Sequence, residues 1–255
     1  MDHAFIIIAA VLPALVLIYF IYRKDRYEKE PAAQLVKGFG FGALSAMASF
    51  CISIPFLLIG LYPAEATTFI GQLCTALFGA AVPEELAKFF FLWLLLRRNK
   101  HFNEYVDGIV YSVCIGMGFA AFENIGYLFG NLEQWVSVGA IRAIASIPGH
   151  FFFAVSMGYF YSNACFGNPA NAKRNYSLAV LVPILLHAAF DACLMVSDGF
   201  GIAGAALSTF IGLYIYMAVI SKARFETHLE HDKKTRIDNK QRRGEDIYTA
   251  KSRNK

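Results

Sequence analysis

The chain has 255 residues, 57% hydrophobic and 16% charged, with a formal net charge of +4 and a mean hydropathy of +0.47. Soluble domains are about 45–50% apolar and about 25% charged, so this composition excludes an ordinary water-soluble domain. Nothing resembles a nucleotide-binding loop, and no nucleic-acid partner is expected.

Apolar stretches of about 20 residues recur from end to end, each long enough to cross a bilayer. They predict an all-α, polytopic membrane helix bundle with about seven spans, at 4–22, 38–62, 67–96, 106–130, 135–161, 178–197 and 200–220. The first run, "FIIIAAVLPALVLIYFIYRKDR", has its positive charges after the apolar residues and no small-residue cleavage site. It reads as a retained span rather than a signal peptide. The third and fifth spans are long for one crossing and must tilt, bend or break, with Pro83 and Pro148 as the natural break points. Gly38 with Gly42, and Gly126 with Gly130, have the spacing that suits close helix packing. The five cysteines show no C-x-x-C spacing and read as packing residues.

Charge supports the count. One set of connections holds Arg23, Lys24, Arg26, Lys29, Lys37, Arg97, Arg98, Lys100, Lys173, Arg174 and the basic tail. The other holds "MDH", "PAEA", "NLEQ" and "SDG", with no lysine or arginine. Positive residues concentrate in cytoplasmic loops, so the N-terminus is expected outside and the C-terminus inside. Residues 1–221 form the membrane domain, and 222–255 a basic cytoplasmic tail with one amphipathic turn near "ARFETHLEH", attracted to anionic lipid. His3, His101, His228 and His231 read as solvated.

The informative residues are the ionisable ones inside the spans, where a charge costs roughly 2.5–3.5 kcal/mol on insertion scales. They are Glu84, Glu85 and Lys88 in span three, Glu123 in span four, Arg142 and His150 in span five, and His187 and Asp191 in span six. At ~1.5 Å rise per residue, the carboxylates and imidazoles of four spans fall in one layer, ~15–21 Å above the cytoplasmic face. Glu84 and Lys88 are four apart with the acid first, the favourable orientation for a helical ion pair. His187 and Asp191 share a face, and so do Phe119, Glu123 and Tyr127, with Asn124 beside them. Arg142 either snorkels or pairs with a carboxylate. Pro83 suits a helix start, so Glu84 and Glu85 are expected to follow a positive helix end.

Adjacent carboxylates divide labour, one holding a proton while the other acts as base. Imidazoles can polarise a carbonyl or stabilise an oxyanion. The inventory suits addition of activated water to a peptide carbonyl. It also offers donors for zinc, from His150, His187 and a carboxylate among Glu85, Glu123 and Asp191, although no H-E-x-x-H is present. A proton-coupled transporter is the rival, since acid–histidine chains also serve proton relays. A relay strings its groups from face to face, whereas these cluster, and no repeat symmetry is evident.

Four motifs in order carry a family resemblance: "EELAK" (84–88), "FAAFENIGY" (119–127), His150 in "RAIASIPGHFFFAVSMG", and "HAAFD" (187–191). Together, over about residues 80–195, they resemble the PrsW intramembrane proteases, distant relatives of the CAAX-protease and bacteriocin-processing membrane peptidases. The resemblance implies a peptidase of the bacterial cytoplasmic membrane that cleaves a single-pass anti-sigma factor in regulated proteolysis. It carries the essential roles to Glu84, Glu85, Glu123, His150 and His187, with Asp191 at the last motif position. Lys88, Arg142 and Asn124 are expected to support them. Family labels often say metalloprotease, whereas the CAAX-type relatives point to glutamate-activated water.

Overall fold

A computed structural model describes residues 3–196 and 203–253, with side chains described to residue 241. The "SDG" connection lies outside the described residues. Every regular element among the described residues is helical. The helices are α1 (His3–Lys24), α2 (Ala32–Leu58), α3 (Phe69–Cys74), α4 (Val82–Leu96), α5 (Tyr105–Gly130), α6 (Trp135–Ile144), α7 (Ser146–Phe166), α8 (Ala172–Val196) and α9 (Ala203–Arg253). A π-helical segment, Thr75–Ala81, joins α3 to α4, and a 3-10 turn, Pro169–Asn171, precedes α8. The chain is thus a multi-pass membrane bundle. Among the described residues, six helices are long and apolar enough to cross a membrane: His3–Lys24, Ala32–Leu58, Tyr105–Gly130, Trp135–Phe166, Pro169–Val196 and Gly204–Gln241. The stretch expected as span three is the composite of α3, the π segment and α4, no part of which reaches the length of a spanning helix.

Helix α5 is the hub. It packs against α1, α2, α4, α6, α7 and α9, and 89% of its most apolar window is buried. This explains why its sequence is apolar all round rather than on one stripe. Backbones touch where it crosses α2: a Cβ on Gly42 would collide with the Ile115 carbonyl, and one on Gly118 with that of Phe39. The expected Gly126–Gly130 packing is absent, since a Cβ at either position meets nothing within 4 Å.

Both prolines act four residues upstream, where the ring displaces a carbonyl from helical bonding. Pro83 lies in the first turn of α4 with Glu84 and Glu85, as expected, but this start is not a free end. Ala81 and Val82 are helical and the backbone runs on through the π segment, so Glu84 and Glu85 do not sit at a free positive end. The Gly79 carbonyl instead accepts from Ser53 Oγ of α2 at 2.9 Å. For Pro148 the break falls at Ala145, between α6 and α7. The Ile144 carbonyl accepts from Tyr214 OH of α9 at 2.6 Å.

The stretch expected as a solvated tail continues α9, and part of it docks. Asp232 is buried and accepts from the backbone N–H groups of Tyr105 (2.8 Å) and Val106 (3.0 Å), closing the N-terminus of α5. Arg236 pairs with Glu104 and Glu28. His228 is buried rather than solvated, with its ring stacked 4.4 Å from that of Tyr159. All five cysteines are free.

Candidate active site

Five helices converge on one network. Helix α4 brings Glu84, Glu85 and Lys88 one turn after the π segment, a deformation frequent at functional sites. Helix α5 brings Glu123 and Asn124, α6 brings Arg142, α7 brings His150, and α8 brings His187 and Asp191. All nine residues expected from the sequence are joined, so the common layer holds.

Lys88 stands at the centre. Its Nζ donates to Glu85 Oε1 at 2.8 Å and to Glu84 Oε2 at 3.3 Å. It also meets His150 Nδ1 at 3.2 Å and lies 3.8 Å from the centroid of the Phe119 ring. The expected Glu84–Lys88 pair is present, yet the pair to Glu85 is shorter. His150 Nδ1 accepts from the ammonium, so its Nε2 carries the hydrogen that reaches Glu123 Oε2 at 3.1 Å. Arg142 does not snorkel. Its Nη2 holds the same Glu123 oxygen at 2.6 Å, and its Nε holds Asn124 Oδ1 at 2.6 Å. Asn124 in turn donates to the Ala10 carbonyl of α1 at 3.1 Å. His187 Nδ1 faces Glu85 Oε1 at 2.9 Å, and its Nε2 faces Asp191 Oδ2 at 3.3 Å. Two N–H donors satisfy that arrangement.

Burial separates the two adjacent glutamates. The Glu85 side chain is 0% exposed, and its Oε2 has no hydrogen-bond partner among the described residues. Glu84 is 14% exposed and lines two cavities. The larger, about 470 Å³, lies between α2, the π segment and α5, and is lined by Ala46, Ser49, Phe50, Gly126 and others. The smaller, about 230 Å³, is lined by Arg142, His150, His187 and Asp191 among others. Glu84, Glu123, Ala80 and Tyr127 belong to both.

Some contributors escaped the sequence reading. Phe153 stacks on His187 with centroids 4.7 Å apart and planes 20° from parallel, and its spacing three residues after His150 is the only signal. Phe119 under Lys88 and Tyr127 under Arg142 flank Glu123 in the row already noted. Ser53 and Tyr214 carried no signal.

Comparisons with known proteins give the family. Residues 30–223 match the family model described as PrsW family intramembrane metalloprotease. The chain belongs to the PrsW family. "Protease PrsW" of Clostridioides difficile (strain 630) is 34% identical over 238 residues, covering 90% of this chain and 94% of that protein. "Protease PrsW" of Geobacillus kaustophilus (strain HTA426) is 33% identical over 198 residues, covering 77% and 82%. The Bacillus subtilis (strain 168) protein of the same name is 29% identical over 186 residues, covering 73% and 81%. No solved structure matches significantly. The chain is therefore a protease of this family, and the transporter reading falls away.

The family description includes a metal. Glu84, Glu85, His150 and His187 are zinc-type donors in kind, with ligand atoms within 4.8 Å of one another. As arranged, they do not fit the ion: the Lys88 ammonium already binds three of the four.

Proposed function

We propose that this chain cleaves a single-span membrane protein of the anti-sigma-factor type in the bacterial cytoplasmic membrane, as the first cut of regulated proteolysis. The observation that carries the chemistry is the place of Glu84 and Glu123 at the junction of two cavities. The larger one, with Phe50 and Phe122 exposed at its rim, is suited to a substrate segment from the lipid. The smaller, polar one is suited to water.

In this mechanism Glu84 takes the proton from water, and the resulting hydroxide adds to the scissile carbonyl. To reach the oxyanion that forms, His150 and His187 redirect the Nε2–H groups that Glu123 and Asp191 hold beforehand. Glu123, held by Arg142, orients His150, while Asp191 orients His187. Glu84 then returns its proton to the leaving amine. Glu85 keeps Lys88 and His187 in place.

The test is a cleavage assay of purified protein with a panel of single-span reporter proteins in vesicles. Accumulation of two fragments with the wild type and none with Glu84→Gln supports the reading. Full cleavage by both Glu84→Gln and Glu85→Gln removes it. Comparing membrane-protein fragments from cells with and without Glu84→Gln identifies the substrate.

A further inference from the structure

We propose that the ammonium of Lys88 is the resident cation of this site and occupies the place that a divalent metal would take. Its role in hydrolysis rests on the protease reading above; its competition with metal does not.

The donors that make the site resemble a metal centre are the ones Lys88 has engaged. Its Nζ contacts Glu85 Oε1, Glu84 Oε2 and His150 Nδ1 at 2.8, 3.3 and 3.2 Å. The fourth donor, His187, binds through Nδ1 to Glu85 Oε1, the oxygen that Lys88 uses. The lysine side chain is 4% exposed, and the face of Phe119 backs its ammonium. A zinc ion among these atoms would lie within a few ångströms of a buried positive charge, where little solvent screens the repulsion. One set of donors therefore holds one cation, and the chain supplies it covalently.

The ammonium also performs structural work that a metal performs elsewhere. It gathers α4, α5 and α7 around one charge. It fixes the His150 tautomer by donating to Nδ1, which leaves Nε2–H for Glu123. Removing the ammonium while keeping its partners leaves two imidazoles and two carboxylates converging on nothing, which is a vacant zinc-type site.

The experiment uses the full chain in detergent and zinc alone as the probe. After chelator dialysis and re-equilibration with zinc, metal content is measured by mass spectrometry and thermal unfolding is recorded. The wild type is expected to hold no stoichiometric zinc and to show no shift. Lys88→Met is expected to hold about one zinc per chain, bound on the order of a hundredfold more tightly than by the wild type, and to be stabilised by it. Lys88→Arg, which retains the cation, should hold none. One zinc per wild-type chain overturns the proposal, and so does a folded Lys88→Met that binds zinc no better than the wild type. If Lys88→Met does not fold, the wild-type zinc content decides alone. Cleavage by the wild type is expected to survive chelation, and loss restored by zinc overturns the proposal. Absence of cleavage under every condition defeats the protease reading, while the zinc measurement stands independently.

Discussion

Glu84 and Glu85 are adjacent in the chain and have opposite surroundings. Glu85 is sealed between Lys88 and His187, whereas Glu84 faces both cavities. Their roles should separate on measurement. Glu84→Gln is expected to fold normally and lose activity by ~10²–10⁴-fold, the usual contribution of a general base. Glu85→Gln leaves a buried ammonium short of its nearest partner and should destabilise the chain by ~3–5 kcal/mol. Fragment yield and thermal unfolding, recorded for both variants, distinguish these outcomes. Equal stability and equal activity loss would contradict the division.

The larger cavity can be filled without disturbing the fold. Gly126 lines it, and a Cβ there meets nothing within 4 Å, so a side chain can start into the cavity. Gly126→Phe should therefore lower kcat/KM for a membrane reporter by at least about tenfold, reflecting lost access for the substrate. Gly40→Phe is the control, because Gly40 also has open space and lies outside the cavity. Unchanged cleavage by Gly126→Phe would place the substrate elsewhere.

The docked part of α9 makes a stability prediction. Asp232→Ala strips two N–H groups of α5 of their charged acceptor. A loss of about 1–3 kcal/mol is expected, seen as a lower Tm in detergent. An unchanged Tm would show that the Asp232 carboxylate contributes nothing to holding the hub.

A pH effect follows from the turn after α1. Burial pushes the Asp25 carboxyl up to about 6, opposed by Lys29, with Glu104 and Asp232 adding to the rise. The folded state thus holds this proton more tightly than the unfolded state. The stability it contributes is complete below about 4, falls as pH rises towards about 6, and is lost above that. Asp25→Asn should flatten this part of the Tm–pH curve and raise Tm at neutral pH. A curve identical to the wild type would contradict it.

The candidate site was legible because an ionisable residue inside a span is conspicuous, and because helical rise turns sequence distance into depth. Glu84, Glu123, His150 and His187 could be aligned that way. The orientation of neighbouring groups could not. Residues 84 and 85 differ by about 100° around one helix, and which faces a cavity depends on α2, α5 and α8. Small-residue spacing permits close approach without saying where the partner lies. Gly42 therefore touches α5, while Gly126 faces empty space. His228 and Asp232 belong to a polar stretch that reads as solvated, and their burial depends on partners distant in sequence, Tyr159 of α7 and the N-terminal N–H groups of α5.

The hydroxyls on the two displaced carbonyls set an order of events. Gly79 is completed by Ser53 from α2, and Ile144 by Tyr214 from α9. Tyr214 is made more than sixty residues after His150, and its bond can form only after α9 has docked. A chain still emerging from the ribosome therefore holds Arg142 and His150 on either side of a break whose Ile144 carbonyl has not yet met its hydroxyl. The last-made helix thus closes the joint from which the Arg142 and His150 contacts to Glu123 are hung.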